Sequence, residues 1–239
     1  MSLDDAALVR AQYATETGLE TRRSVYENVE GEDAREIVFR EIAAGHPRRV
    51  LEVGAGPGEL SARIAVELGA DVVAVDTSER MVELALARGV DASVGDVQEL
   101  EFADATFDTV VAAWMLYHVP DLDRALGEIV RVLEPGGRLV AVTNSELHLE
   151  EARSLAGVTM TGRMPFHRDN GRELLQRHFA AVDRIDVDGW VTFPDAEAVW
   201  RYVRSMILIG ESGAADRIPE GIGPVRAGTH VSVFVARRA

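Results

Sequence analysis

The chain has 239 residues, 47% of them hydrophobic, no cysteine, and a formal charge of -15 from 40 Asp and Glu against 25 Lys and Arg. The missing cysteines exclude disulfides, a thiolate nucleophile and zinc sites built on Cys, and fit a cytoplasmic location. The acidic balance opposes the basic face with which nucleic-acid binders release counterions. No stretch approaches bilayer-spanning length, and Met1-Ser2-Leu3-Asp4-Asp5 does not begin an export signal. The expectation is one α/β domain with accessory elements and a small-molecule site, without nucleic-acid or membrane partners.

In chain order, residues 1–48 carry helical patterns. Over 33–44, Ile37, Val38 and Ile42 form an apolar stripe that Gly45 and Pro47 end; this region is expected to precede the sheet and cover its ligand edge. From Val50 onward, short β-rich runs alternate with helical patterns, the signature of βαβ units around a parallel sheet. Strands are expected over 49–53, 72–75, 92–94, 109–113 and 138–143. Helices are expected over 59–68, 78–88 with Ser78 as N-cap, and 122–133, with Pro135-Gly136-Gly137 punctuating the step to the next strand. The stretch 145–170, with Gly157, Gly162 and Pro165, reads as an insertion or lid. Helices over 172–179 and 196–206 and an alternating strand over 230–235 complete the chain.

The strongest local feature is Val50-Leu51-Glu52-Val53-Gly54-Ala55-Gly56-Pro57-Gly58, a buried strand entering a glycine-rich turn and a helix. It lacks side chains where a ligand would approach the backbone. Asp76, with Thr77 beside it, follows the second strand at the distance where a carboxylate can accept from both hydroxyls of an adenosine ribose. In Gly95-Asp96-Val97, Asp96 can accept from an adenine amino group while Val97 and Met81 contact the ring faces. Each feature also has a plainer reading: a tight turn that needs glycine, an acid at a helix N-terminus, an exposed loop aspartate.

In this order over 50–143, these motifs resemble the class I S-adenosylmethionine-dependent methyltransferases, of the small-molecule type 11/25 kind. Phe107-Asp108-Thr109-Val110-Val111 is similar to the family's fourth-strand motif, and Leu133-Glu134-Pro135-Gly136-Gly137-Arg138-Leu139 to its turn before the fifth strand. The resemblance implies a Rossmann-like, doubly wound, seven-stranded sheet, mostly parallel, with 230–235 as an antiparallel last strand inserted near its end. It also implies an N-terminal helical cap over 1–48 and a methyltransferase domain over 49–239. S-adenosylmethionine is the implied cofactor and S-adenosylhomocysteine the product, with Glu52, Gly54, Ala55, Gly56, Gly58, Asp76, Thr77, Met81, Asp96 and Val97 as cofactor residues.

The run Gln12-Tyr13-Ala14-Thr15-Glu16, with Leu19 and Arg22, looks like the cap of small-molecule members; Tyr13 and Arg22 then close over the methionine end of the cofactor, or are a packed aromatic and a solvated charge. Trp114 faces the cationic sulfur or packs in the core. His118 is the candidate general base, the alternatives being a cofactor contact or a loop hydrogen bond. Trp190, Trp200, Tyr202 and Met206 have ordinary core spacing and are the alternative acceptor-pocket lining. His148, His167 and His178 form no short-spaced metal pattern, so no metal is expected. The expected activity is methyl transfer to an oxygen, nitrogen or carbon nucleophile of a small molecule. The alternatives are a non-catalytic cofactor-binding sensor or assembly protein and a nicotinamide-dependent oxidoreductase.

Overall fold

The computed structural model describes residues 3–5, 9, 13, 17–27, 29–206 and 212–239; Gln12, Ala14, Thr15 and Glu16 of the expected cap lie outside them. In chain order, the first elements are α1 (Thr17–Ser24), β1 (Glu30–Gly31), α2 (Ala34–Ala43), β2 (Arg49–Val53), α3 (Glu59–Leu68), β3 (Asp71–Asp76), α4 (Glu79–Ala87), β4 (Asp91–Val94) and β5 (Phe107–Ala113). A 3-10 turn (Leu116–His118) leads to α5 (Leu122–Val132), β6 (Leu133–Asn144), α6 (Glu150–Ser154), α7 (Gly171–Gln176), β7 (Ala181–Phe193), α8 (Ala196–Arg204) and β8 (Val225–Arg237).

Neighbouring residues in the central strands are both buried but on opposite faces, as the two-residue strand period requires. Leu51, Val110, Leu139 and Ala141 join one core cluster with the α5 stripe Ala125, Leu126, Ile129 and Val132. Val50, Val111, Val140 and Val142 join a second with Ile64 of α3 and with Ile37, Val38 and Ile42 of α2. The apolar stripe expected over 33–44 therefore packs as part of a helical layer. Ser78 caps α4, its side chain accepting from the Met81 amide.

The sheet order is β1-β7-β8-β6-β5-β2-β3-β4. β6, β5, β2, β3 and β4 are mutually parallel, and β8 runs antiparallel between β6 and β7. The antiparallel strand expected over 230–235 is thus the middle of a 13-residue strand. β7 escaped the strand assignments, although Val187, Val191 and Phe193 are buried at alternate positions. Asp183, Asp186 and Asp188 between its apolar residues are poor strand formers and hide the alternation. The two-residue β1, paired antiparallel with β7, adds an eighth strand to the expected seven.

β2 lies between β3 and β5, so the chain leaves it in opposite directions and a crevice opens beyond the carboxyl ends of β2 and β5. A third cluster, with Leu149, Ala152, Val191, Phe193, Val199 and Tyr202 buried and Tyr26 packed against it, joins the segment after α1 to the far half of the sheet. The stretch expected as a lid contains α6 and the buried Leu149, Ala152 and Ala156. Among the described residues no helix is long and apolar enough to cross a membrane.

Candidate active site

The crevice is a cavity of about 660 Å³, within the range of small-molecule and cofactor sites. Its floor is the turn after β2. The amides of Gly54 and Ala55 donate to the Val75 carbonyl at 2.7 and 3.2 Å, which turns the chain sharply at the end of the strand. Gly56 has φ 56°, a left-handed conformation that favours glycine, and a Cβ built on it would meet nothing within 4 Å. The backbone here faces open cavity. Gly54 is glycine for a different reason, since its Cβ would lie 2.6 Å from that of Met115.

Asp76 ends β3 at the same place. Its Oδ2 accepts from the Gly56 amide and its Oδ1 from the Ser78 amide, at 2.8 and 2.9 Å. Burial pushes this carboxyl above its ordinary value, while the amides of Ser78, Gly56 and Thr77 hold it back. Glu52 is buried, with Ser61 Oγ donating to its Oε2, and burial pushes its pKa up to about 7. A second anion in the same dry pocket would be costly, and Asp76 adds to the effect.

Of the expected site residues, Tyr13, Arg22, Glu52, Gly54, Ala55, Gly56, Asp76, Thr77, Asp96, Val97, Trp114 and His118 line this one cavity. Gly58 and Met81 do not. Gly58 is the left-handed N-cap of α3, where a Cβ would sit 2.8 Å from that of Ala85, so its glycine serves helix packing. Met81, in α4, is wholly buried, because Ser78 starts the helix in a register that turns this side chain inward. Asp96 has its carboxylate engaged by the backbone and side-chain amides of Gln98 at 2.9–3.0 Å.

The roof comes from the N-terminal residues. His118 Nδ1 lies 3.0 Å from the Leu3 carbonyl and Nε2 lies 3.2 Å from Tyr13 Oη. A carbonyl only accepts, so Nδ1 carries the proton and Nε2 of the neutral ring accepts from the tyrosine. Burial lowers the pKa of His118 to about 4 and keeps it in that form. The Tyr13 carbonyl accepts from Ser78 Oγ at 2.9 Å, which ties the same segment to α4. Arg22 donates through Nη1 to the Ser205 carbonyl; its Nη2 is buried with no hydrogen-bond partner, and among the described residues Arg22 makes no ion pair.

Trp114 follows β5 with φ 53°, a left-handed backbone at a bulky residue that costs about 1–3 kcal/mol and persists only where its surroundings hold it. Its amide donates to the Val142 carbonyl and its Nε1 to Asn144 Oδ1, each at 3.0 Å. Beyond Trp114 the wall contains Tyr26, Asn144, His148 and Thr229. Tyr26 Oη lies 2.7 Å from His148 Nε2, and the His230 amide donates to His148 Nδ1 at 2.9 Å. Trp190 and Trp200 are 39% and 36% exposed, under Arg226 and Arg204, and do not line the cavity; they are neither core nor pocket. Tyr202 is buried behind the wall, and Met206 packs against its cluster.

Residues 51–141 match the family of methyltransferase domains. An uncharacterized methyltransferase of Mycobacterium tuberculosis is 38% identical over 162 residues, which take in 66% of this chain and 64% of that protein. A demethylmenaquinone methyltransferase of Renibacterium salmoninarum is 40% identical over 108 residues, 44% of this chain and 45% of the relative. Residues 51–141 form a methyltransferase domain of the class I S-adenosylmethionine-dependent kind. The chain spans less than two thirds of the length of either relative. In fold it is similar to a phosphoethanolamine N-methyltransferase of Haemonchus contortus in complex with phosphomonomethylethanolamine and S-adenosylhomocysteine, with a TM-score of 0.63 and 19% identity over all of this chain and 60% of that one.

Sequence reasoning named cavity residues on β2, β3 and the turn after β5, and did not name Tyr26, Asn144, His148 and Thr229 as cavity residues. The one available signal was position: Asn144 ends a strand of the parallel set, where α/β ligand sites collect. Asp108, by contrast, belongs to a recognised motif but stands at the start of β5, where its Oδ2 accepts from the amides of Arg48 and Arg49 at 2.9 Å.

Proposed function

We propose that the protein transfers a methyl group from S-adenosylmethionine to an oxygen, nitrogen or carbon nucleophile of a small molecule held between the glycine turn and the wall of Tyr26, Asn144 and Thr229. The observation that carries this reading is the arrangement in one cavity of Asp76, the open backbone at Gly56 and the Arg22 guanidinium with its buried, unsatisfied Nη2. These fit an adenosine ribose, a close backbone approach and an amino-acid carboxylate respectively.

When bound, the cofactor would supply an activated methyl group on a cationic sulfur. The chain's task is to hold, orient and exclude water. Asp76 has lone pairs left beyond its two amide bonds and accepts from the ribose hydroxyls. Arg22 Nη2 gains the anionic partner it lacks among the described residues, and Glu52 lies within the same pocket to balance a cationic ligand. Trp114 is held in the cavity wall by its bonds to Asn144 and Val142.

His118 acts as a tether, since Nδ1–H holds Leu3 and the lone pair a general base needs accepts from Tyr13. Leu3 and the segment around Met160 and Met164 serve as cover over the cavity, supported by the Leu3 amide donating to the Arg163 carbonyl at 3.1 Å and by the shared cluster of Leu3, Met160 and Met164. The acidic surface supports a small-molecule acceptor without nucleic-acid or membrane partners, and the lack of cysteine supports a cytoplasmic location.

Calorimetric titration with S-adenosylhomocysteine tests the cofactor reading. Saturable binding, followed by methyl transfer from S-adenosylmethionine across a panel of phenols, acids and amines, is the expected result. Folded protein with an empty site that ignores the ligand would overturn it.

A further inference from the structure

Two side chains on the acceptor side of the cavity have their hydrogen-bond polarity decided by partners that can only donate. Trp114 Nε1 is a donor without acceptor capacity, so the atom of Asn144 facing it at 3.0 Å is the carbonyl oxygen, and the amide Nδ2 with its two protons is left for the cavity that Asn144 lines. The His230 main-chain amide is likewise only a donor, so His148 Nδ1 is an acceptor and the ring proton sits on Nε2. That proton is given to Tyr26 Oη at 2.7 Å. Tyr26 therefore receives a hydrogen bond from behind, and its own hydroxyl proton is available to the cavity, made a better donor by the bond it accepts.

The two groups are neighbours through the backbone. Asn144 pairs with Val231 at the end of β6, the Ser145 amide donates to the His230 carbonyl at 2.8 Å, and the His148 amide donates to the Ser145 carbonyl at 3.1 Å. His148 cannot exchange its role, because burial holds its pKa down to about 3 and a proton on Nδ1 would face the His230 N–H. Three acidic residues of the wall, Asp33, Glu36 and Glu59, are paired with Arg35, Arg63 and Arg23.

We infer that Tyr26 and Asn144 are the acceptor-binding pair and that they select an acceptor presenting an oxyanion, a phenolate or a carboxylate, over an amine. The inference rests on the methyl-transfer reading and names its substrate class. An ammonium group would meet hydrogen-bond donors where it needs acceptors, whereas an oxyanion is served by both. Neither residue takes a proton in this role; they position the oxygen.

The probes are 4-nitrophenolate at pH 8, followed by its absorbance shift, and benzoate and benzylammonium, followed by calorimetry, each added to protein saturated with S-adenosylhomocysteine. At least one anion is expected to bind more tightly than benzylammonium, and the tighter anion distinguishes phenolate from carboxylate. Tyr26→Phe should weaken that anion by at least about tenfold. Asn144→Asp, which keeps the oxygen facing Trp114, should reverse the preference toward benzylammonium. S-adenosylhomocysteine should bind all three proteins within about twofold, which shows that the variants are folded. Benzylammonium binding as tightly as both anions, no anion binding at all, or variants that bind the anions as the parent does would each overturn the inference. Loss of S-adenosylhomocysteine binding by the parent protein would instead sink the cofactor reading, and the same preference would then be read without it.

Discussion

The cavity carries two tyrosine–histidine pairs made from the same residue types. Tyr13 and His118 stand beside Ser78 at the start of α4, and Tyr26 and His148 stand at the wall formed by β6 and β8. Both rings are neutral, both pairs hydrogen-bond through Nε2, and yet the proton runs in opposite directions. His118 gives its proton to the Leu3 carbonyl and accepts from Tyr13; His148 accepts from the His230 amide and gives its proton to Tyr26. The main-chain group at Nδ1 decides the tautomer, and the tautomer decides what the tyrosine offers the cavity. Tyr13 keeps lone pairs, whereas Tyr26 keeps a proton.

The largest expected effect tests what the pairs share. Burial puts the folded-state pKa of His118 at about 4 and of His148 at about 3, below the unfolded value near 6.5. The unfolded chain therefore binds more protons as pH falls. Stability from this source is fully present above pH 6.5 and declines below it by up to about 1.4 kcal/mol per pH unit for each ring. Urea unfolding between pH 7 and 4 should show this slope, and His118→Asn should remove about half of it. An unchanged slope in that variant would mean that His118 is not held neutral.

A smaller effect tests whether the two ends of the cavity are separate. Asp76→Ala should weaken S-adenosylhomocysteine by about 100-fold, or about 2.8 kcal/mol, while leaving the intrinsic preference for oxyanions in place. Equal damage from Tyr26→Phe to cofactor binding would merge the two ends into one site. Glu52 offers the opposite pH sign. Its folded pKa, about 7, lies above the ordinary carboxyl value, so its contribution is present below about pH 4.5 and is lost as pH rises through 7. Glu52→Gln should therefore be more stable to unfolding than the parent above pH 7, by on the order of 1–3 kcal/mol, with the difference vanishing near pH 4. The smallest effect belongs to Tyr13→Phe, which removes one hydrogen bond to His118 and should cost about 1 kcal/mol in thermal unfolding.

The half of the site around Gly54, Gly56 and Asp76 was legible in the sequence because its geometry is local. A strand, a glycine turn and a helix are encoded in consecutive residues, and the parallel neighbour follows one crossover later, so Asp76 arrives beside Gly56 by the rules of a single βαβ unit. The same locality made the apolar stripes of α2 and α5 readable. It does not reach what depends on the neighbours: Met81 is wholly buried and does not line the cavity, and Asp108 stands at the start of β5, holding the Arg48 and Arg49 amides.

The amino-acid sequence by itself determined the doubly wound order, the glycine turn and the chain's charge, all of which follow from short-range periodicity and composition. Only the tertiary structure decided the wall that contains Tyr26, Asn144 and His148. Tyr26 and His148 are 122 residues apart, and they meet because β8 inserts antiparallel beside β6 and brings the His230 amide to the imidazole. A backbone donor has no signature in residue identity, so the direction of the hydrogen bond that sets the polarity of this wall appears only when the sheet closes around it.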